Sequence, residues 1–264
     1  MDALIRAQPG RRYTFFKTTP AAKSVGGWTD GFATATLPAT GTLPAANSVA
    51  FQNPLTVATP GAFPILDASA GANYISRVSV GKAANVGSFF LYDRLVQVGR
   101  LLDTGTTNTF TSVPSLPSEY STGEDVEIWL TWGAASGGTA SNIQVTYTNQ
   151  AGTGSKVTPA LAMQAASVVN QLQILPLAAG DTGVRSIQSN TLSASMVGSG
   201  WYVLSLVRRL AEVTMTGAPG EVVTFDALTL GLPKLRQNAC LCIAYQALVT
   251  TGSTVMGYVD VIEG

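Results

Sequence analysis

Residues 149–156, NQAGTGSK, combine two glycines, two hydroxyls and a lysine, a composition that could cradle a phosphate. A phosphate-binding loop of the P-loop kind needs the order G-x-x-x-x-G-K-[ST] between a strand and a helix. Backbone N–H groups and the helix N-terminus then hold the anion. Here Ser155 separates Gly154 from Lys156, Val157 follows the lysine, and Pro159 falls where a helix would have to be established. The same residues suit the tip of a β-hairpin, because Asn149, Gly152 and Gly154 accept turn conformations at low cost. Lys156 would then project to solvent from the return strand, a common deterrent to edge pairing.

The other chemistry-bearing residues are thinly spread. Glu119, Glu124, Asp125 and Glu127 form an acidic cluster, but they lack the close, regular oxygen spacing of a calcium loop. A pair of carboxylates in a cleft could hydrolyse a glycoside, yet Glu124 and Asp125 follow Gly123 as in a solvated turn. Trp28, Trp129, Trp132 and Trp201, with Tyr147, Tyr202 and Tyr245, offer aromatic surface for a sugar, although Trp129 and Trp132 fall on opposite faces of one strand. Cys240 and Cys242 sit two apart on a strand, at the limit of disulfide geometry, and read as small buried hydrophobes. The chain contains no histidine, which removes Ser–His and Cys–His catalysis and the usual zinc sets. No catalytic residue, metal ligand or cofactor site is expected.

The elements that must carry these residues are β-strands. The 264-residue chain is 46% hydrophobic but only 11% charged, with Thr, Ser, Gly and Ala filling the difference. An average domain is about 25% charged, so this surface suits sheets that pack against neighbours. Alternation marks strands in DVEIWLTW, where Val126, Ile128 and Leu130 share a face, and in IQVTYT, where Ile143, Val145 and Tyr147 do. Further strands are expected in YISRVSV, WYVLSLV, EVVTFDALTL, CLCIAYQALV and TVMGYVDVI, with one short helical candidate over 160–170. Residues 75–95 and 187–210 share an Ile-led strand, a VGS turn, an aromatic strand and an Arg-Leu ending. Leu-Pro, an apolar strand and a closing strand then follow each. This weak repeat predicts an all-β fold of two tandem, related β-sandwich (jelly-roll-like) modules. The predicted boundaries are an extended arm over 1–65, a first module over 66–158, a linker over 159–183 and a second module over 184–264.

Charge is distributed unevenly although the net charge is zero. Arg6, Arg11, Arg12, Lys17 and Lys23 face a single acid, Asp2, within the first 24 residues. Prolines at 38, 44, 54, 60 and 64 extend the irregular region behind them. These features predict a basic arm that docks on an acidic partner surface. The arm lacks the dense Lys/Arg run or aromatic platform of a nucleic-acid binder. No stretch supplies the roughly 20 apolar residues of a membrane span. MDALIRAQPGRR has no apolar core of a secretory signal, so folding in the cytoplasm of synthesis is expected.

The segments VTYTNQAG (145–152), LAAGDTGVRSIQSNTLSAS (177–195), DRLVQVGRLL (93–102) and GEDVEIWLTW (123–132) resemble virion proteins of tailed bacteriophages. The resemblance covers roughly residues 75–195. It consists of strand and turn signatures without a catalytic motif, so no site residue is carried over. It implies a virion component assembled in the host cytoplasm, such as a capsid decoration or cement protein or another head or neck protein. Its partners would be the major capsid protein or other virion subunits, and it would form a homo-oligomer, with a trimer expected. A host-surface glycan-binding tail-fibre or spike module is the alternative reading.

Overall fold

A computed structural model of the chain describes residues 10–18, 27–44, 49–52, 55–82, 86–111, 115–215, 220–247 and 254–264. The first elements are β1 (Arg11–Thr18), β2 (Trp28–Asp30), β3 (Thr36–Leu37), β4 (Phe51–Gln52), β5 (Asn73–Lys82), β6 (Val86–Leu102) and β7 (Thr107–Thr109). Then come β8 (Val126–Ala134), β9 (Asn142–Asn149), β10 (Lys156–Val157), β11 (Leu161–Ala162), β12 (Gln171–Leu175) and β13 (Val184–Leu192). The last are β14 (Trp201–Thr214), β15 (Val222–Asp226), the short helix α1 (Ala227–Leu230), β16 (Lys234–Leu235), β17 (Leu241–Ala247) and β18 (Thr254–Glu263). The protein is all-β, as its alternating strands predict. The region expected to be helical holds β11 and turns instead.

The chain forms two compact units, residues 1–41, 56–93 and 210–264, and residues 42–55 and 94–209. These are not the tandem modules expected from the repeat. Two of the four crossings between the units, after Asp93 and after Arg209, fall inside long strands, β6 and β14. Each unit therefore takes strands from both copies of the repeat: β5 joins β17 and β18, while β8 and β9 join β13. The physical reason is strand length. A 17-residue β6 and a 14-residue β14 are far longer than the usual five or six residues, and each carries the chain from one unit into the other.

In unit 1 a six-stranded antiparallel sheet runs β15-β5-β18-β1-β3, with β16 also on β5. Its inner face meets the layer of β17 and the start of β6 across a core of Phe15, Ile75, Val78, Val80, Val255 and Val259 against Phe89, Leu91, Leu241 and Ile243. In unit 2 the sheet β10-β9-β13-β7 sets Ile143, Val145, Val184 and Ile187 against Ile128, Leu130, Trp132, Leu204 and Leu206. Each fully buried aliphatic or aromatic side chain contributes about 1.5–3 kcal/mol, so both sandwiches are held mainly by their alternating inner faces.

The predicted N-terminal arm is not free over its described part. Residues Arg11–Thr18 pair along their full length with β18, from Arg11 opposite Val261 to Thr18 opposite Thr254. RRYTFFKT alternates, so Phe15 enters the core while Arg12, Thr14 and Phe16 face out. A strand that can bury one face and close a sheet edge gains more than a solvated tail would.

Candidate functional site

Most of the described residues singled out for chemistry have structural partners. The NQAGTGSK loop is a hairpin tip: Gly152 adopts φ +82° and Ser155 φ +58°. The Asn149 side chain accepts from the Thr153 N–H at 2.8 Å. Arg185 braces the turn from outside by donating Nε and Nη2 to the Gln150 carbonyl at 3.0 and 2.7 Å. Lys156 does not point freely to solvent. Its ammonium lies 3.7 Å from Asp181, which also accepts from the Tyr147 hydroxyl at 2.6 Å and from the Asn149 amide at 2.7 Å. The Tyr147 and Asn149 donors, aided by Lys156, hold the Asp181 carboxyl below its ordinary value of 3.8, and burial raises the Tyr147 hydroxyl to about 12.

A lowered carboxyl contributes stability fully above its ordinary value and loses it as pH falls through the folded value. Asp181→Asn is expected to loosen this hairpin selectively. Amide exchange in residues 150–156 should accelerate about tenfold or more, with the rest of unit 2 unchanged, and hydrogen exchange read by mass spectrometry checks this.

The acidic cluster is dispersed among separate partners. Glu124 accepts from Thr182, Asp125 pairs with Arg208 at 3.4 Å, and Glu127 pairs with Arg209 at 2.6 Å while accepting from the Trp129 indole. Among the described residues no group of three His, Cys, Asp or Glu is arranged to hold a metal. The tryptophans are likewise engaged separately. Trp28 stacks on Phe90, Trp132 meets Tyr202 edge-on, and Trp129 is fully buried. Cys240 and Cys242 are buried thiols not joined in a disulfide, 3.9 Å apart at sulfur.

Of the five cations expected to dock the arm, three are described, and each has its own partner. Arg6 and Lys23 lie outside the described residues. Lys17 is buried, donating to the carbonyls of Thr34 and Pro38 at 2.9 and 2.6 Å. Arg12 makes a two-pronged ion pair with Asp260 at 2.8 and 2.9 Å and lies over the Tyr258 ring. Arg11 is exposed and reaches the Leu66 carbonyl. Strand alternation is the cause: in β1 it sends Lys17 inward and Arg12 outward beside an acid.

Among the described residues, the outer face of the six-stranded sheet stands apart in exposing a row of apolar side chains. Register lines its side chains in three rows. One row is apolar: Leu37, Phe16, Met256, Gly81 and Val222 stand opposite one another on β3, β1, β18, β5 and β15. Their exposures are 49% for Leu37, 41% for Phe16, 43% for Met256 and 66% for Val222. The second row carries hydroxyls, Thr14, Tyr258, Ser79 and Thr224. The third alternates in charge, Arg12, Asp260, Arg77 and Asp226. This charged row floors a cleft of about 520 Å³ rimmed by Leu228, which is 83% exposed. Asp226 caps α1, and the Thr229 N–H first, then its hydroxyl, the Leu228 N–H and Arg77, hold the carboxyl below the ordinary range. Asp226 therefore stays ionised at neutral pH.

An outward side of a half-exposed antiparallel sheet is normally polar, and most exposed large apolar side chains are scattered. Here five of the nine among the described residues, Phe16, Leu37, Val222, Leu228 and Met256, belong to this one face or its rim. Such clustering marks an interaction surface. It escapes sequence reading because its members come from separate strands and the helix α1, and only the register brings them together.

No protein-family model matches the chain, and no curated protein does. Among solved structures, the infectious bursal disease virus VP2 subviral particle aligns over 98% of this chain and 82% of its own, at 10% identity and a TM-score of 0.23. Pseudomonas aeruginosa AlgX aligns over 51% of this chain and 26% of its own, at 10% identity and a TM-score of 0.23. Scores this low assign the chain no role. Among the described residues no helix is long and apolar enough to cross a membrane.

Proposed function

We propose that this chain is a non-enzymatic structural protein of a virus particle, and that it works by burying sheet surface against other subunits. The exposed apolar row Leu37–Phe16–Met256–Val222 carries the reading. A soluble protein has no reason to align large apolar side chains across a sheet face unless something covers them. The resemblance of residues 75–195 to tailed-phage virion proteins supplies the setting, and within it a decoration or cement role on the head shell fits a chain with so little charge. Attachment then runs through the sheet face of unit 1 rather than through a basic arm.

The test is composition of purified particles. The chain should co-sediment with particles of the virus that encodes it, in a fixed copy number set by the shell. Met256→Lys should reduce its incorporation about tenfold or more, because a charge in the middle of a buried apolar row must be desolvated. Absence of the chain from particles, or full incorporation of the variant, contradicts the proposal.

A further inference from the structure

The geometry points to a specific partner for this face: we infer that it pairs with the same face of a second copy of this chain, about a two-fold axis parallel to the strands. The inference rests on the reading of the face as an interaction surface and goes further by naming what covers it. Across β1, β18, β5 and β15 the charged row reads plus, minus, plus, minus: Arg12, Asp260, Arg77, Asp226. A two-fold along the strands, running between β18 and β5, reverses that order in the facing copy. Arg12 then meets the partner's Asp226, and Asp260 meets the partner's Arg77, so an alternating row of four is its own complement.

The other rows obey the same operation. Met256 faces the partner's Gly81, and Tyr258 faces the partner's Ser79, a large side chain opposite a small one in both cases. Phe16 faces the partner's Val222, and Thr14 the partner's Thr224. The bulky residues stand on β18 and the small ones on β5, the two strands that exchange places across the axis. A two-fold running across the strands would instead set the charged row over the apolar row. A two-fold across the strands centred on the charged row itself would set Arg on Arg. Of these arrangements, only the two-fold parallel to the strands matches the three rows across β1, β18, β5 and β15, with Leu37 on β3 standing outside the pairing.

The size of the face sets the strength. Four strands about 4.8 Å apart and rows about 6.8 Å apart cover on the order of 400 Å² per copy, well under the roughly 1,600 Å² total of a standard interface. The isolated dimer is therefore weak and concentration-dependent, and becomes effective where other contacts already hold the copies together.

Sedimentation velocity on the full chain tests this, with two charge variants. Wild type should show reversible dimerisation, with a dissociation constant on the order of 100 µM. Arg77→Asp alone opposes two acids across the axis, and Asp260→Arg alone opposes two bases; each should weaken dimerisation at least about tenfold. An equimolar mixture restores an opposite charge at every crossing and should form a heterodimer at least as well as wild type. Thermal melting confirms that each variant is folded. A wild type that stays monomeric to millimolar concentration, or a mixture that associates no better than either variant alone, overturns the inference. If Met256→Lys nevertheless loses its place in particles, the face is still an interaction surface and a different subunit covers it. If incorporation is also unaffected, the broader proposal falls as well.

Discussion

Asp93→Asn is expected to destabilise unit 1 by about 3–5 kcal/mol, the usual result of stranding one member of a buried ion pair. Asp93 is fully buried and grips Arg236 with both oxygens, at 2.6 Å to Nε and 3.2 Å to Nη2. One oxygen also accepts from the Cys240 N–H at 2.9 Å. The Arg236 side chain is only 4% exposed. An asparagine keeps the shape but removes the negative charge, so the guanidinium remains in the core uncompensated. Chemical denaturation followed by a probe in unit 1 measures the loss. Replacing both residues by apolar ones of similar volume, Asp93→Leu with Arg236→Met, should recover much of it, because a buried pair seldom outperforms well-packed hydrophobes. A loss below about 1 kcal/mol for the single variant would show that water reaches the pair.

The second large effect is a pH dependence traceable to Lys17. Burial lowers its ammonium from an ordinary value of 10.5 to about 8, against smaller opposing effects of Cys242 and Asp30. Between these values the unfolded chain binds a proton that the folded chain does not. Stability therefore rises with pH from about 8 to about 10.5, by up to about 3 kcal/mol from this group. Lys17→Met removes the titration, so the difference between wild type and variant should shrink or reverse across that interval. Melting temperatures at pH 7, 8.5 and 10 for the two proteins check the sign. Parallel profiles would mean that Lys17 titrates at the same pH in the folded and the unfolded chain. The same residue was the least suitable of the expected docking cations, because an ammonium held by two backbone carbonyls is unavailable to a partner.

Much of the fold is written in local pattern. The stretch NIQVTYTN buries Ile143, Val145 and Tyr147 and leaves Gln144 exposed, as its alternation requires. The hairpin reading of NQAGTGSK follows from turn chemistry that acts within a few residues. Features that depend on distant partners were not legible. Asp93 and Arg236 lie 143 positions apart, and nothing local says that either is buried. The repeat was visible, but the exchange of strands between units depends on where β6 and β14 stop, which alternation cannot set. The candidate surface was the least legible part. Phe16 and Met256 look like ordinary strand residues until β1 and β18 are set in register.

Methionine oxidation offers the most direct test of the central claim that the outer face of unit 1 is buried in assembly. Of the four methionines among the described residues, Met163, Met196 and Met215 are at most 5% exposed, whereas Met256 is 43% exposed in the isolated chain. A brief peroxide pulse should therefore convert Met256 to the sulfoxide first among these four in free protein. In intact particles the same pulse should oxidise Met256 at least about tenfold more slowly, because the apolar row is covered. Equal oxidation of Met256 in free and assembled protein would contradict the account.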